Sequence, residues 1–327
     1  MEHSEFMSEP KKHHFLPQFY LELFKIRPQT TKYPKIVVTT KEPNPLKFTA
    51  AIHDIGCIGD YHTINPRNIP IDRGGIENVL SKIEANQKEL LDRIISNKQI
   101  APADKGDVAF LLALMYIRVP KYKRNIETGL RMSVQSVVEL MWRHGKLPPI
   151  PEKIRELDIK SFQELFEIKI HNWIVLFYMF YSSINSALVD IIDKMDFSVL
   201  IPPKGSQFIT GDTPVSIYHP DYNRVRPYGV GFVDKEIEVT FPLSPELMLY
   251  ASWNVGKRKM RLSKDELKEY NRRTVVMADQ YIYSNYSDDS LNELVSDNAL
   301  KEAGFRTDLI DGGEGMHLVN RFIPVTK

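Results

Sequence analysis

The chain is expected to fold as an α+β protein, with a central helical bundle and N- and C-terminal antiparallel strands sharing one sheet. Three observations lead there. The first 75 residues are rich in proline and β-branched side chains, which favours strands and loops. Residues 76–195 carry apolar positions at helical spacing, and residues 196–327 return to short aromatic and β-branched runs separated by turn residues. Strands on both sides of a helical block suggest one intertwined domain over 1–327.

The elements follow in order. "KIVVTT", Lys35 to Thr40, is the clearest early strand, and Pro43, Pro45 and Pro66 bar a long helix nearby. From Ile76 the spacing of Val79, Leu80, Ile83, Leu90, Leu91, Ile94 and Ile95 predicts a helix that carries Glu77 and Glu84. Asp104 is a suitable cap for the next helix, whose residues Asp107 to Arg118 are apolar nearly all round and predict central burial. Pro120 interrupts it, and a further helix runs from Lys121 to His144, ended by Gly145 and the proline-rich "KLPPIPEK" linker. Ser161 with Glu164 has the capping-box spacing ahead of an apolar run through Ile192. Within that run "WIVLFYMFY", Trp173 to Tyr181, reads as a buried helix, because it falls short of the roughly 20 residues that span a bilayer. The segments "FSVLIPP", "QFITGD", "VSIYHP", "EIEVTFPLS" and "LMLYAS" predict hairpin strands, and Ser263 with Glu266 and Ser290 with Glu293 predict two more capped helices.

Composition removes several classes of function. Against 42 acidic residues stand 43 basic ones, so no bulk charge draws the chain to nucleic acid or membranes, and any anion site must be local. One cysteine, Cys57, allows neither an internal disulfide nor a thiolate cluster, which suits the cytoplasm. Glu2, Glu5 and Glu9 break up the start, so a secretory signal is not expected. Zincin, calcium-loop, Walker, dinucleotide-fold and nucleophile-elbow spacings are all missing, and "DGGEG", Asp311 to Gly315, reads as a turn. Two nuclease patterns also fail, since "KEIEVTF" offers Glu236 and Glu238 without the required lysine and "WRHGK" sets arginine directly against histidine.

Three settings remain. In "KKHHFLPQFYLELF" the imidazoles of His13 and His14 precede an apolar segment able to fix them for proton transfer or metal binding, or else they are a solvated lead-in. In "FITGDTPVSIYHP" Asp212 ends a strand, where it either serves a cleft or bonds backbone amides in a turn. Arg118 closes an apolar helix, either capping its carbonyls or holding a phosphate, and Lys121, Lys123 and Arg124 make this the most cationic stretch.

Taken together these motifs resemble a bacterial domain-of-unknown-function family, number 4238. Its His-His-Phe-x-Pro-x-Phe-Tyr-Leu opening is matched by "HHFLPQFYL", its Arg-x-Pro element by "RVP" at Arg118, its Thr-x-Asp-x-Pro element by "TGDTP" and its Pro-Leu-Ser-Pro element by "PLSP". The Glu84 helix and Asn271 with "ADQYIYS" are similar to its acidic and closing helices. The family carries no assigned reaction, but the resemblance implies that His13, His14, Glu84, Arg118, Asp212 and Asn271 converge on one pocket. The resulting expectation is a cytosolic hydrolase directed at phosphate or nucleic acid, with no membrane partner, of the kind used by toxins or in phage defence. His14, His13, Asp212 and Arg118 would be catalytic, and Arg118, Lys121 and Asn271 would bind substrate. Asp212, Glu84 and His14 would hold a divalent metal, Mg or Mn. The rival is a non-enzymatic binding module in which Asp212 pins a turn and Arg118 pairs with Glu84.

Overall fold

The computed structural model describes residues 12–28, 31–64, 75–148, 167–182, 188–222, 229–254, 260–311 and 316–327. The chain is α+β, as its alternating periodicities require. β1 (Lys12–His14) pairs with β4 (Cys57–Gly59) in a two-stranded ribbon, with the single turn α1 (Gln18–Glu22) close behind β1. Between them β2 (Lys35–Thr40) and β3 (Lys47–Ala51) form an antiparallel hairpin.

The helical block begins with α2 (Gly75–Asn97), which buries Leu80, Gln87, Leu90, Leu91 and Ile94 along one stripe. α3 (Lys105–Ile117) is the central helix, and from Val108 to Ile117 every residue but Phe110 is buried. Asp104 stands at its N-cap position but makes no cap bond; its carboxylate takes Arg93 of α2 at 2.8 Å instead. Val119 is extended, the conformation that a following proline favours, so Pro120 ends α3 and begins α4 (Pro120–Arg143).

The apolar stretch after it departs from expectation. α5 (Asn172–Leu176) passes into a π-turn over Phe177–Ser182, and α6 (Leu188–Asp193) follows separately. Val175, Leu176 and Met179 are buried, whereas Trp173, Phe177, Tyr178 and Tyr181 are each more than a third exposed. The segment is therefore half-buried, because a short helix has only one face against the core. The Ser161–Glu164 capping box lies outside the described residues, as do Pro149 and Pro151 of "KLPPIPEK" and residues 312–315 of "DGGEG". Among the described residues no helix is long and apolar enough to cross a membrane.

Two four-stranded antiparallel sheets follow among the described residues. One has the order β5 (Asp196–Leu200), β9 (Leu247–Ser252), β8 (Glu238–Ser244), β7 (Ser216–Tyr218). Pro242 sits in β8 where the register shifts, the place in a strand that tolerates a missing N–H. The other sheet joins the chain's two ends in the order β3, β2, β10 (Tyr281–Ser284), β6 (Thr210–Gly211). N- and C-terminal strands thus share a sheet, as the sequence suggests.

The Ser263–Glu266 capping box is formed at the start of α7 (Lys264–Met277). At its far end the carbonyls of Val276, Met277 and Ala278 accept from Lys41 and Lys121, which places cations on the negative end of the helix. For α8 (Asp289–Asn298) the cap is Asp288 rather than Ser290, whose hydroxyl instead donates to Asp288 from inside the first turn. A last hairpin, β11 (Gly304–Asp311) with β12 (Met316–Ile323), was not expected from the sequence.

Tyr20 is the main tie between the opening segment and the C-terminal strands. Its fully buried hydroxyl meets Thr210 Oγ1 at 2.7 Å and donates to the Pro242 carbonyl at 2.8 Å, while its ring stacks on Phe241. Tyr20→Phe leaves the Thr210 hydroxyl and the Pro242 carbonyl without this partner and is expected to lower unfolding stability by about 1–2 kcal/mol, read from urea denaturation. An unchanged midpoint would show that the bond is not a tie.

Candidate functional site

The site is built on the β1–β4 ribbon. His13 lies opposite Ile58 and His14 opposite Cys57, and strand alternation buries the His13 side chain. Phe15 and Leu16 both donate to the Gly56 carbonyl, and Gly56 has φ +63° with Leu16 and Leu21 each 3.1 Å from where a Cβ would stand. Glycine is favoured there, because a side chain would meet both a left-handed backbone and close leucine neighbours. Beyond β4 the chain turns at Asp60, another left-handed residue, and folds back so that the His62 N–H donates to His13 Nδ1 at 2.8 Å. The two imidazoles stack with centroids 5.7 Å apart and planes 11° from parallel.

Glu77, in the first turn of α2, completes the group. Its Oε1 is 2.5 Å from His62 Nδ1 and 4.0 Å from His13 Nδ1. One nitrogen of each ring and a carboxylate oxygen lie within 4.8 Å of one another, so His13, His62 and Glu77 could hold a metal ion. His62 is wholly buried; burial lowers its pKa from 6.5 to about 4, against the raising effect of Glu77. A neutral ring that donates from Nδ1 to a carboxylate leaves a lone pair on Nε2, and that buried atom has no hydrogen-bond partner. For Glu77 burial pushes upward most, but the hydrogen bond with His62 and the fields of His62, His13 and Arg118 together hold its carboxyl below the ordinary value.

His14 and Arg118 adjoin this group. Burial lowers the His14 pKa; one ring nitrogen bonds the His53 backbone, and Nε2 is buried without a partner. Arg118 follows the last turn of α3 at 1% exposure, where its Nη2 donates to the His14 carbonyl at 2.8 Å and to Glu84 Oε1 at 2.9 Å. Its Nε and Nη1 are buried and unpartnered. The Tyr61 hydroxyl donates to the Arg118 carbonyl, and Lys123 reaches the Tyr61 carbonyl while standing over the Tyr61 ring.

Other expected members are engaged elsewhere. Asp212 accepts from the N–H groups of Asp279, Gln280 and Tyr281 at 2.7, 2.7 and 3.0 Å, which pins the entry to β10. With those three bonds already on its oxygens, burial still pushes its carboxyl up to about 6. Asn271 bridges the Ile209 N–H and the Gln207 carbonyl, and Lys121 caps α7. Glu84 meets Arg118 rather than the histidine pair. His13, His14, Glu84 and Arg118 are therefore brought together, while Asp212, Asn271 and Lys121 make backbone contacts in the C-terminal part. The opening and "TGDTP" motifs do meet, through Tyr20 and Thr210 instead of imidazole and carboxylate. Sequence reasoning missed His62 altogether and noted Glu77 only as a residue of α2; the left-handed turn at Asp60 that delivers His62 leaves no periodic trace.

One family model, described as a protein of unknown function (DUF4238), matches residues 12–288. No curated protein and no solved structure matches.

A depressed histidine pKa gives a pH dependence of definite sign. The contribution of neutral His62 is whole above its unfolded value of 6.5 and is lost as pH falls toward about 4. In metal-free protein the thermal midpoint should fall across that window, and His62→Gln should flatten the fall; an unchanged profile in the variant would count against a buried neutral ring.

Proposed function

This chain belongs to the DUF4238 family, and on that premise we propose that it is a metal-dependent hydrolase of phosphate esters, nucleic acid among them, acting in the cytosol. The observation that carries the reading is the gathering, around the β1–β4 ribbon, of three metal-ligand side chains and a buried guanidinium with two unpartnered nitrogens. Two imidazoles and a carboxylate suit Mn, Zn or Fe(II) better than Mg, which prefers oxygen donors alone. His13, His62 and Glu77 would hold such an ion in place of two present hydrogen bonds, that between His62 Nδ1 and Glu77 and that from the His62 N–H to His13 Nδ1.

In that arrangement Arg118 Nε and Nη1 take phosphoryl oxygens, and Glu84 keeps the guanidinium in place through Nη2. His14, neutral and with a free Nε2 lone pair, accepts the proton of the attacking water. Water adds to phosphorus, the ester P–O bond breaks, and the leaving oxygen takes a proton from solvent. Asp212, Asn271 and Lys121 have no part in the chemistry and hold the C-terminal elements.

The second reading, a non-enzymatic binding module, is favoured by one observation. Asp212 pins a turn and Arg118 pairs with Glu84, as a purely structural role would have it. Metal analysis with an activity assay separates the two. Protein stripped with chelator and reloaded with Mn or Zn should retain about one ion per chain, and His62→Ala and Glu77→Ala should reduce it to background. Hydrolysis of an activated phosphodiester and of single-stranded RNA or DNA should fall by at least about 100-fold in His14→Ala. Metal binding without turnover would support the binding module, and absence of metal would sink both the ion and the hydrolase built on it.

A further inference from the structure

A second site lies across the ribbon, on the sheet that joins the chain's two ends. The register aligns Phe48, Val38, Tyr283 and Thr210 in one row across its four strands. Strand alternation adds Ala50 and Tyr281 to the same face. The opposite face carries Ile282, which packs with Val275, Ala278, Leu291 and Val295 of α7 and α8 and their flanks. The first face meets α1 only at its Thr210 end, through the Tyr20 hydroxyl. Elsewhere it forms the floor of a cavity of 530 Å³ whose far wall is residues 54–58 with Phe15, and whose side is Pro120 and Arg124 at the start of α4.

The volume and lining fit a small molecule rather than a gap in packing, since ligand sites run to about 300–1,000 Å³ with mostly apolar walls. Phe48, Ile58 and Tyr281 are 47, 41 and 36% exposed, so three large apolar side chains face solvent at one place. Two of them are aromatic. At one end Arg124 Nη2 meets both oxygens of Asp279 at 2.7 Å, beside Gln280, while Asp54 on the far wall is taken by Lys12. An aromatic floor gives stacking, and an arginine, a carboxylate and an amide at its edge offer donors and acceptors in the mixture that the rim of a heteroaromatic ring presents.

We propose that this cavity binds a nucleobase, stacked on Phe48 and Tyr281 with its edge toward Arg124, Asp279 and Gln280. The inference rests on the phosphate-directed reading above, for it names the substrate class, and the two sites share the ribbon: Cys57 lines the cavity and pairs with His14, and Pro120 lines it two residues after Arg118. A plain aromatic acid would use the floor but not the mixed edge.

Calorimetric titration of the full-length protein in chelator tests this apart from the metal. The probes are the common nucleosides, their 5′-monophosphates, a short single-stranded oligonucleotide and benzoate. At least one nucleoside or mononucleotide should bind, and Phe48→Ala and Tyr281→Ala, both surface-accessible and therefore folded by circular dichroism, should each weaken it about tenfold or more. Binding by the oligonucleotide but no monomer, with the same loss in both variants, would assign the base to a nucleic-acid strand. No binding by any nucleic-acid probe, benzoate binding as tightly, or affinity unchanged in both variants would overturn the proposal, whatever the metal experiment gives.

Discussion

The buried guanidinium of Arg118 is the constraint on which the site depends. It closes α3, donates through one nitrogen to the His14 carbonyl and to Glu84, and through its own carbonyl receives Tyr61. A charge held at 1% exposure must be paired, and removing one partner of such a pair costs about 3–5 kcal/mol. Three segments distant in sequence are thereby fixed to one point: β1 through a backbone carbonyl, α2 through Glu84, and the turn bearing His62 through Tyr61. The histidines inherit their positions from this arrangement. Arg118 satisfies only one of its side-chain nitrogens in doing so, and its Nε and Nη1 stay buried without a partner.

A second anchor, Asp212, organises the other half. Three N–H groups converge on its carboxylate where α7 gives way to β10, so the joined sheet and the helices behind it share one fastening. Tyr20 connects the two regions through Thr210 and Pro242. The motifs that resemble the family pattern accordingly divide: His-His and Arg-x-Pro build the ribbon site, whereas Asp212 of Thr-x-Asp-x-Pro fastens the entry to β10 and Pro-Leu-Ser-Pro marks the register shift in β8. Phe15 of the opening motif, Pro120 of Arg-x-Pro and Asp212 of Thr-x-Asp-x-Pro border the cavity on the sheet.

What the sequence disclosed follows physical range. β2 coincides with "KIVVTT" and the Ser263–Glu266 box forms as written, because a strand run and a reciprocal cap are local. The sharing of a sheet by the chain's ends was also legible from strands on both sides of a helical block. Contacts set by tertiary packing were not: Asp104 gives up its cap role to bind Arg93, and Trp173 to Tyr181 exposes aromatic rings that hydrophobicity alone would bury. The alternation in Phe305–Leu309 and Leu318–Phe322 does read as a hairpin in hindsight. At the site, His13, His14, Glu84 and Arg118 were singled out from residue type and setting. His62 was invisible because a left-handed turn at Asp60, not a motif, delivers it.

The central claim is that His13, His62 and Glu77 form an ion site beside an anion-ready arginine. An anomalous difference map from crystals grown with Mn or Zn, recorded on both sides of the metal's absorption edge, tests it most directly. The account predicts one strong peak bonded to these three side chains at about 2.0–2.2 Å, with the His62–Glu77 hydrogen bond opened. A map without a peak there, with His62 still donating to Glu77, would contradict it.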